Sequence, residues 1–124
     1  MRLAFSTIKT SDLESSLRFY KDIIGLTEMR RINPQPGVHC VFLKDENNSV
    51  LELVGYENTI VGSKEHKGSV SIGFSVEDMD KTIAMLKDNG IEIASGPIEA
   101  PGGIRLLFIE DPNGVEVEFV EGFN

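Results

Sequence analysis

The two halves of this chain carry the same order of residue types, offset by 66 positions. Corresponding positions include Asp12 and Asp78, Phe42 and Phe108, and the segments 51–54 and 117–120. A repeat of this length indicates two copies of one supersecondary unit. Two copies related by a rotation place equivalent residues opposite one another, so functional side chains are expected at paired positions. The candidate pairs are Glu52 with Glu118 and Phe5 with Ser71.

The first copy, residues 1–56, has the pattern of a β-α-β-β-β unit. Apolar residues at helical spacing follow Ser11, which is predicted to form a capping box with Glu14. Gly25 is predicted to end this helix. Alternating segments before and after the helix predict four strands, at residues 2–9, 26–33, 38–44 and 50–56.

The second copy, residues 69–124, repeats this order after a linker. Residues 57–68 lack apolar periodicity and form the predicted linker, which includes His66. Asp78 is predicted to cap the second helix, which ends at residues 89–90. The remaining predictions are strands at 69–76, 91–95, 104–109 and 115–121, a loop at 96–103 and a tight turn at 111–114.

The composition allows a folded core and limits the classes of partner. Hydrophobic residues make up 40% of the 124 residues, and the formal net charge is −8. This charge argues against binding a nucleic-acid backbone, which requires an excess of Lys and Arg. The single cysteine, Cys40, excludes an intramolecular disulfide, and no apolar run approaches membrane-spanning length. We therefore expect a soluble, cytoplasmic protein with neither nucleic acid nor a membrane as partner.

The predicted hairpins place one carboxylate beside one aromatic ring in each copy. A three-residue loop at 112–114 sets the register that pairs Phe108 with Glu118, and the repeat carries this pairing to Phe42 and Glu52. The apolar neighbours of each glutamate point to the opposite face, which the helices cover. A carboxylate within an apolar strand is costly to bury without a partner. Each glutamate therefore marks either a functional site or a solvated strand edge.

Cys40 is expected on the same face as Phe42 and Glu52, because side chains alternate along a strand. It is either a ligand-contacting group or a small core residue. His39 points to the opposite face, and His66 lies in the linker, so neither histidine is expected to join the glutamates.

Several segments resemble the vicinal oxygen chelate superfamily, whose members include glyoxalase I, fosfomycin-modifying enzymes, bleomycin-resistance proteins and extradiol dioxygenases. These segments are residues 11–26, the Leu-Glu-Leu of 51–53, residues 76–80 and residues 111–119. The resemblance covers essentially the whole chain. It implies an α+β fold in which two βαβββ modules form curved mixed sheets around a cleft. It also implies a homodimer in which modules of two chains complete each cleft.

The metal-dependent members of this family imply four ligand positions in this chain. The two last-strand positions fall on Glu52 and Glu118, which is the residue type usual in the family. The two first-strand positions fall on Phe5 and Ser71, where the enzymes carry His or, less often, Gln or Glu. Phe cannot ligate a metal and neutral Ser is a poor ligand. We therefore expect no cofactor, and at most a weakly held divalent metal on the two glutamates.

The preferred hypothesis is a binding protein that resembles the bleomycin-resistance branch. It would sequester a cationic or aromatic small molecule without performing a reaction. Its ligand would contact Glu52 and Glu118 together with Phe5, Cys40, Phe42, Ser71 and Phe108.

Two alternatives remain open. The chain could be a glyoxalase I-like lyase or isomerase in which Glu52 or Glu118 is the catalytic base. Without a metal, an arginine would have to polarise the substrate, and the candidates are Arg30, Arg31 and Arg105. The other alternative is a structural or regulatory module whose site has no ligand.

Overall fold

The computed structural model describes residues 3–57 and 70–123. The chain divides into two compact units, Met1–Ser63 and Lys64–Asn124, which we call module 1 and module 2. The predicted linker lies outside the described residues except for Glu57, and so does His66. No helix within the described ranges is long and apolar enough to cross a membrane.

Module 1 is a four-stranded sheet with one helical connection. The elements are β1 (Ser6–Lys9), α1 (Leu13–Leu17) with a π-helical continuation (Arg18–Ile23), β2 (Thr27–Gln35), β3 (Val38–Lys44) and β4 (Val50–Tyr56). The sheet order is β1-β4-β3-β2, with β1 parallel to β4 and the other neighbours antiparallel.

Module 2 has the same order of elements and the same sheet topology. The elements are β5 (Ser71–Val76), α2 (Met79–Asp88), β6 (Ser95–Ala100), β7 (Ile104–Glu110) and β8 (Glu116–Glu121). The strands are ordered β5-β8-β7-β6, again with a parallel pair formed by the first and last strands of the module, β5 and β8. The predicted α+β fold of two βαβββ modules is therefore confirmed.

Strand alternation gives each sheet one fully buried face. Buried apolar residues occupy every second position of the two central strands in each module. They are Val41, Leu43, Leu51 and Leu53 in module 1, and Leu107, Ile109, Val117 and Phe119 in module 2. Helix α1 packs closely on this face, because a Cβ added at Gly55 would lie 2.8 Å from the Cβ of Leu13. The other face carries the half-buried Glu52 and Glu118.

The prediction of Ser11 as the helix-capping residue was wrong. Asp12 has the extended backbone of an N-cap, and its Oδ1 accepts a hydrogen bond from the backbone N–H of Glu14 at 3.2 Å. The end of the helix was predicted correctly, because Gly25 has a φ of 96° just beyond the last turn. The predicted cap of the second helix is also confirmed, since Asp78 accepts from the N–H of Lys81.

The predicted strand at 91–95 and loop at 96–103 were also wrong. The strand instead runs over β6, and the turn to β7 is confined to residues 101–103. Gly96 and Pro97 indicated a loop. However, β6 is an edge strand, and proline is tolerated there because its missing N–H can face away from the neighbouring strand. The tight turn after β7 follows the prediction. Asp111 pairs with Val115 through an N–H···O bond of 2.9 Å.

An ion-pair cluster connects the helical segment of module 1 to β2. Glu28 accepts hydrogen bonds from Lys21 at 3.0 Å and from Arg31 at 2.7 Å. The bond from Arg31, followed by that from Lys21, lowers the pKa of Glu28 to about 2. The carboxylate therefore stays ionised in the folded protein far below its ordinary range.

Glu28→Gln is expected to destabilise the protein near neutral pH and to have a smaller effect in acid. The folded-state pKa is lowered from 4.5 to about 2, so the ionised carboxylate contributes stability above pH 4.5 that is lost as the pH falls toward 2. Partial exposure limits the contribution to about 1 kcal/mol. Urea unfolding of wild type and variant at about pH 7 and about pH 3 measures the difference.

Asp22→Asn is the matched control, because Asp22 is an exposed carboxylate on the same helical segment. It has no hydrogen bond or ion pair within the described residues. A Glu28→Gln effect that does not shrink between the two pH values would contradict the assignment.

Candidate functional site

Four side chains form a line across the sheet of module 1, which we call the module 1 row. Strand pairing places Thr7 beside Glu52, Glu52 beside Phe42, and Phe42 beside Arg30. Residues that pair directly on neighbouring strands project from the same face of a sheet. The row therefore lies on the face opposite the buried apolar residues, as predicted for Phe42 and Glu52.

The carboxylate of Glu52 has two partners within module 1. Its Oε1 accepts a hydrogen bond from the Oγ1 of Thr7 at 2.7 Å. It also interacts with the thiol of Cys40, which is only 6% exposed. Burial, and then the interaction with Glu52, raise the pKa of the Cys40 thiol. Cys40 is therefore a protonated side chain that packs beside Glu52, and the prediction that the two share a face is confirmed.

Two side chains contact the ring of Phe42. The ring of Phe5 meets it edge to face, with centroids 5.6 Å apart and an interplanar angle of 88°. The guanidinium carbon of Arg30 lies 5.4 Å from the Phe42 centroid, in cation–π contact. Phe5 is nevertheless 46% exposed, so its ring presents accessible aromatic surface.

Module 2 has the equivalent line, the module 2 row, with different chemistry. Gly73 pairs with Glu118, Glu118 with Phe108, and Phe108 with Ser95. The predicted pairing of Phe108 with Glu118 is thus confirmed. Gly73 occupies the position that Thr7 has in module 1, and a Cβ added there would meet no atom within 4 Å. Among the described residues, Glu118 forms no hydrogen bond or ion pair.

Ser71 is the first residue of β5 and is exposed, where it pairs with Glu116 rather than Glu118. Alternation along β5 still directs it to the same side as Gly73. The structure thus places Cys40, Phe42 and Glu52 in module 1, and Phe108 and Glu118 in module 2, on the predicted face of each sheet. That Glu52 and Glu118 line one cavity stays a prediction.

The residues at the family's ligand positions do not fit a metal centre. Phe5 offers no donor atom, and its ring is committed to the contact with Phe42. Glu52 already accepts from Thr7, and Ser71 brings only a neutral hydroxyl. Within residues 3–57 and 70–123, no three His, Cys, Asp or Glu side chains are grouped so that they could hold a metal ion.

Of the three arginines considered as electrophiles, only Arg30 lies on a row. Arg31 pairs with Val41, whose side chain belongs to the buried face, and it forms an ion pair with Glu28. Arg105 contacts Asp80 at 3.5 Å and Glu121 at 3.9 Å, which ties it to α2 and β8. Both are therefore structural cations.

Sequence reasoning missed Thr7 and Gly73, which are equivalent in the repeat and neighbour the two glutamates. The sequence carried a usable signal, because each lies two residues after a predicted ligand position and therefore on the same face.

A concave region of module 1 lies between the start of α1 and the ends of β2, β3 and β4. It has a volume of about 450 Å³ and includes His39 in its lining. The Nδ1 of His39 lies 2.7 Å from the Asn33 amide, and its Nε2 lies 3.0 Å from Glu57. Both ring nitrogens therefore have partners, and His39 connects Asn33 on β2 with Glu57, which follows β4. Its predicted position opposite Cys40 is confirmed.

Comparison with known proteins agrees with this architecture. Residues 2–119 match the model of the Glyoxalase/Bleomycin resistance protein/Dioxygenase superfamily. The chain belongs to this superfamily. This is the vicinal oxygen chelate superfamily that the sequence resembled.

Relatives of similar length carry one enzyme name. Lactoylglutathione lyase of Haemophilus influenzae is 29% identical over 98% of this chain and 93% of its own length. The lactoylglutathione lyase of Neisseria meningitidis serogroup B is 30% identical over 98% of this chain and 91% of its own. The chain therefore spans nearly the full length of these enzymes.

Solved structures share the fold at lower identity. A glyoxalase family protein from Bacillus cereus has a TM-score of 0.83 at 20% identity, covering 100% of this chain and 95% of its own. TnmS3, an antibiotic binding protein from a Streptomyces species, has a TM-score of 0.76 at 21% identity, covering 99% and 97%. One fold thus carries proteins with different names, so function has to be argued from side chains.

Cys40 is expected to react with iodoacetamide at least about tenfold more slowly than the thiol of glutathione, because only the thiolate is nucleophilic. Burial and the contact with Glu52 both raise its pKa. Labelling at about pH 8 followed by mass spectrometry measures the rate without ambiguity, since Cys40 is the single cysteine.

Glu52→Gln removes the charge that helps to raise the Cys40 pKa, and it is expected to accelerate labelling. A wild-type rate equal to that of glutathione, or no acceleration in the variant, would contradict the proposed contact.

Proposed function

We propose that this protein is a cytoplasmic small-molecule-binding member of its superfamily, which sequesters a cationic or aromatic ligand without a tightly bound metal. The observation that carries the proposal is the replacement of a metal-ligand position by Phe5, whose ring packs against Phe42 in the row that holds Glu52. An aromatic surface beside a carboxylate suits an organic cation. The name of the structural neighbour TnmS3 provides a precedent for ligand binding on this fold.

The two glutamates are not equivalent in this proposal. Glu52 is partly satisfied by Thr7 and Cys40, whereas Glu118 forms no hydrogen bond with any other described residue. A half-buried carboxylate with no partner in the described part of the chain gains most from a ligand that donates hydrogen bonds or carries positive charge. Gly73 leaves space beside it for such a group. We therefore expect Glu118 to contact the cationic group together with Glu52, and to contribute more to its binding.

A second candidate function is lactoylglutathione lyase-like chemistry, which the names of the curated relatives favour. The carboxylate best placed as a base is again Glu118, since a base must have its lone pairs available. The weakness of this candidate is the donor set, because Phe5 and Ser71 stand where His would ligate a metal. We rank it below binding for that reason.

The first test combines metal analysis of the purified protein with a thermal-shift screen of aromatic amines. The proposal expects less than stoichiometric Ni, Zn, Mn or Fe and a raised melting temperature with at least one amine, because a ligand that binds only the folded state stabilises it. Glu118→Gln should weaken binding of that amine about tenfold, and Glu52→Gln should weaken it less.

Stoichiometric metal together with isomerisation of a glutathione hemithioacetal would overturn the proposal in favour of the enzyme. No stabilisation by any amine, in the absence of both metal and activity, would favour a structural module.

A double substitution tests the descent of the site from a metal centre. Phe5→His with Ser71→His is expected to create divalent-metal binding that the wild type lacks, because imidazole supplies the missing ligands. Isothermal titration with Ni²⁺ and Zn²⁺ measures the gain. Phe5→Ala with Ser71→Ala is the control, since it removes the same side chains and adds no ligand. No gain in the histidine variant would mean that the ligand geometry has not been retained.

We also propose that the protein acts as a homodimer, as the family resemblance implies. Light scattering of the purified chain tests this assembly, and a monomer at micromolar concentration would count against it.

A further inference from the structure

We propose that Arg30 forms an anion subsite on module 1, so that the ligand of this protein carries a carboxylate as well as a cationic group. The inference rests on the proposed binding function and specifies its ligand class. It starts from the position of Arg30 at one end of the module 1 row, next to Phe42 and two strands away from Glu52.

The guanidinium of Arg30 is held by a ring rather than by a carboxylate. Its Cζ lies 5.4 Å from the Phe42 centroid, and Arg30 forms no ion pair or hydrogen bond with any other residue in the described ranges. Stacking on an aromatic face orients a guanidinium while leaving its N–H donors available at the edge. Arg31, the next residue, instead donates hydrogen bonds from its Nε and Nη2 to the carboxylate of Glu28.

The nearest acid in the row does not neutralise Arg30. Glu52 and Arg30 both neighbour Phe42, yet Glu52 accepts from Thr7 and Arg30 stacks on the ring. The row therefore presents a carboxylate and a guanidinium on either side of one aromatic ring. Two strand spacings, about 10 Å, separate the backbones of these two residues.

The repeat shows that this cation is specific to module 1. The sequence offset of 66 residues matches Arg30 with Gly96. The residue that pairs with Phe108, as Arg30 pairs with Phe42, is Ser95. Module 2 thus keeps the aromatic ring and the glutamate but has no positive charge in its row. A ligand that contacts module 1 meets both signs of charge, in a protein whose net charge is −8.

The chemistry of the subsite favours a planar anion. Guanidinium forms paired, parallel hydrogen bonds with carboxylate, and such charge-assisted bonds are among the stronger ones in proteins. We infer an amphoteric ligand whose amine and carboxylate are separated by about the width of one aromatic ring.

Three probes built on one ring test this inference: benzylamine, benzoate and 4-(aminomethyl)benzoate. Binding is measured by isothermal titration against the wild type, Arg30→Gln and Arg30→Lys, with circular dichroism to verify folding. Arg18→Gln is the matched control. Arg18 is exposed on the helical segment, so this substitution removes the same charge away from the row.

The wild type is expected to bind 4-(aminomethyl)benzoate about tenfold more tightly than benzylamine. Arg30→Gln should abolish this advantage without weakening the binding of benzylamine, whereas Arg18→Gln should preserve it. Arg30→Lys should retain only part of it, because an ammonium lacks the planar fork.

Failure of the subsite and failure of the proposed function give different results. If benzylamine binds and the added carboxylate brings no gain, the Arg30 subsite is wrong and the cation-binding function stands. If benzoate binds in an Arg30-dependent manner while benzylamine does not, the subsite stands and the cationic ligand is wrong. If none of the three binds, both proposals are overturned.

Discussion

The antiparallel register of the two central strands in each module is the constraint on which the rest of the structure depends. It pairs Phe42 with Glu52 and Phe108 with Glu118, and it directs their apolar neighbours to the buried face. Because side chains alternate with a period of two, a slip of one residue would bury the glutamates and expose the leucines and valines. The register that buries the apolar core therefore also places the candidate site residues.

On this shared framework the two copies of the repeat have acquired different chemistry. Thr7 binds Glu52 in module 1, whereas Gly73 leaves Glu118 without a partner among the described residues. Arg30 adds a cation to the module 1 row, and Ser95 takes the corresponding place in the module 2 row. The strand topology that both modules share specifies where a site can lie. The side chains that differ between the copies specify what that site can bind.

Membership of the superfamily and the lactoylglutathione lyase names of relatives are consistent with this backbone, but they do not determine the reaction. The metal chemistry of such enzymes requires donor atoms that Phe5 does not have and Ser71 supplies poorly. Fold and activity are separable, because the sheet is stabilised by residues on one face and the chemistry depends on residues on the other.

The sequence by itself determined the repeat, both βαβββ modules and the facing of Phe42, Glu52, Phe108 and Glu118. These follow from alternation and from the turn at Asp111, which are local properties of the chain. Edge-strand assignment was less secure, since Gly96 and Pro97 indicated a loop where pairing with β7 forms a strand.

Only the tertiary structure decided which residues neighbour the glutamates. The first strand of each module pairs in parallel with the last, across more than 40 residues of chain, as with Thr7 and Glu52. No turn sets that register. The facing of Arg30 depends on an irregularity between Glu28 and Arg30 that shifts the strand by one position. Local patterns could not reveal either feature, because the first arises from segments that are distant in sequence and the second is a break in strand alternation itself.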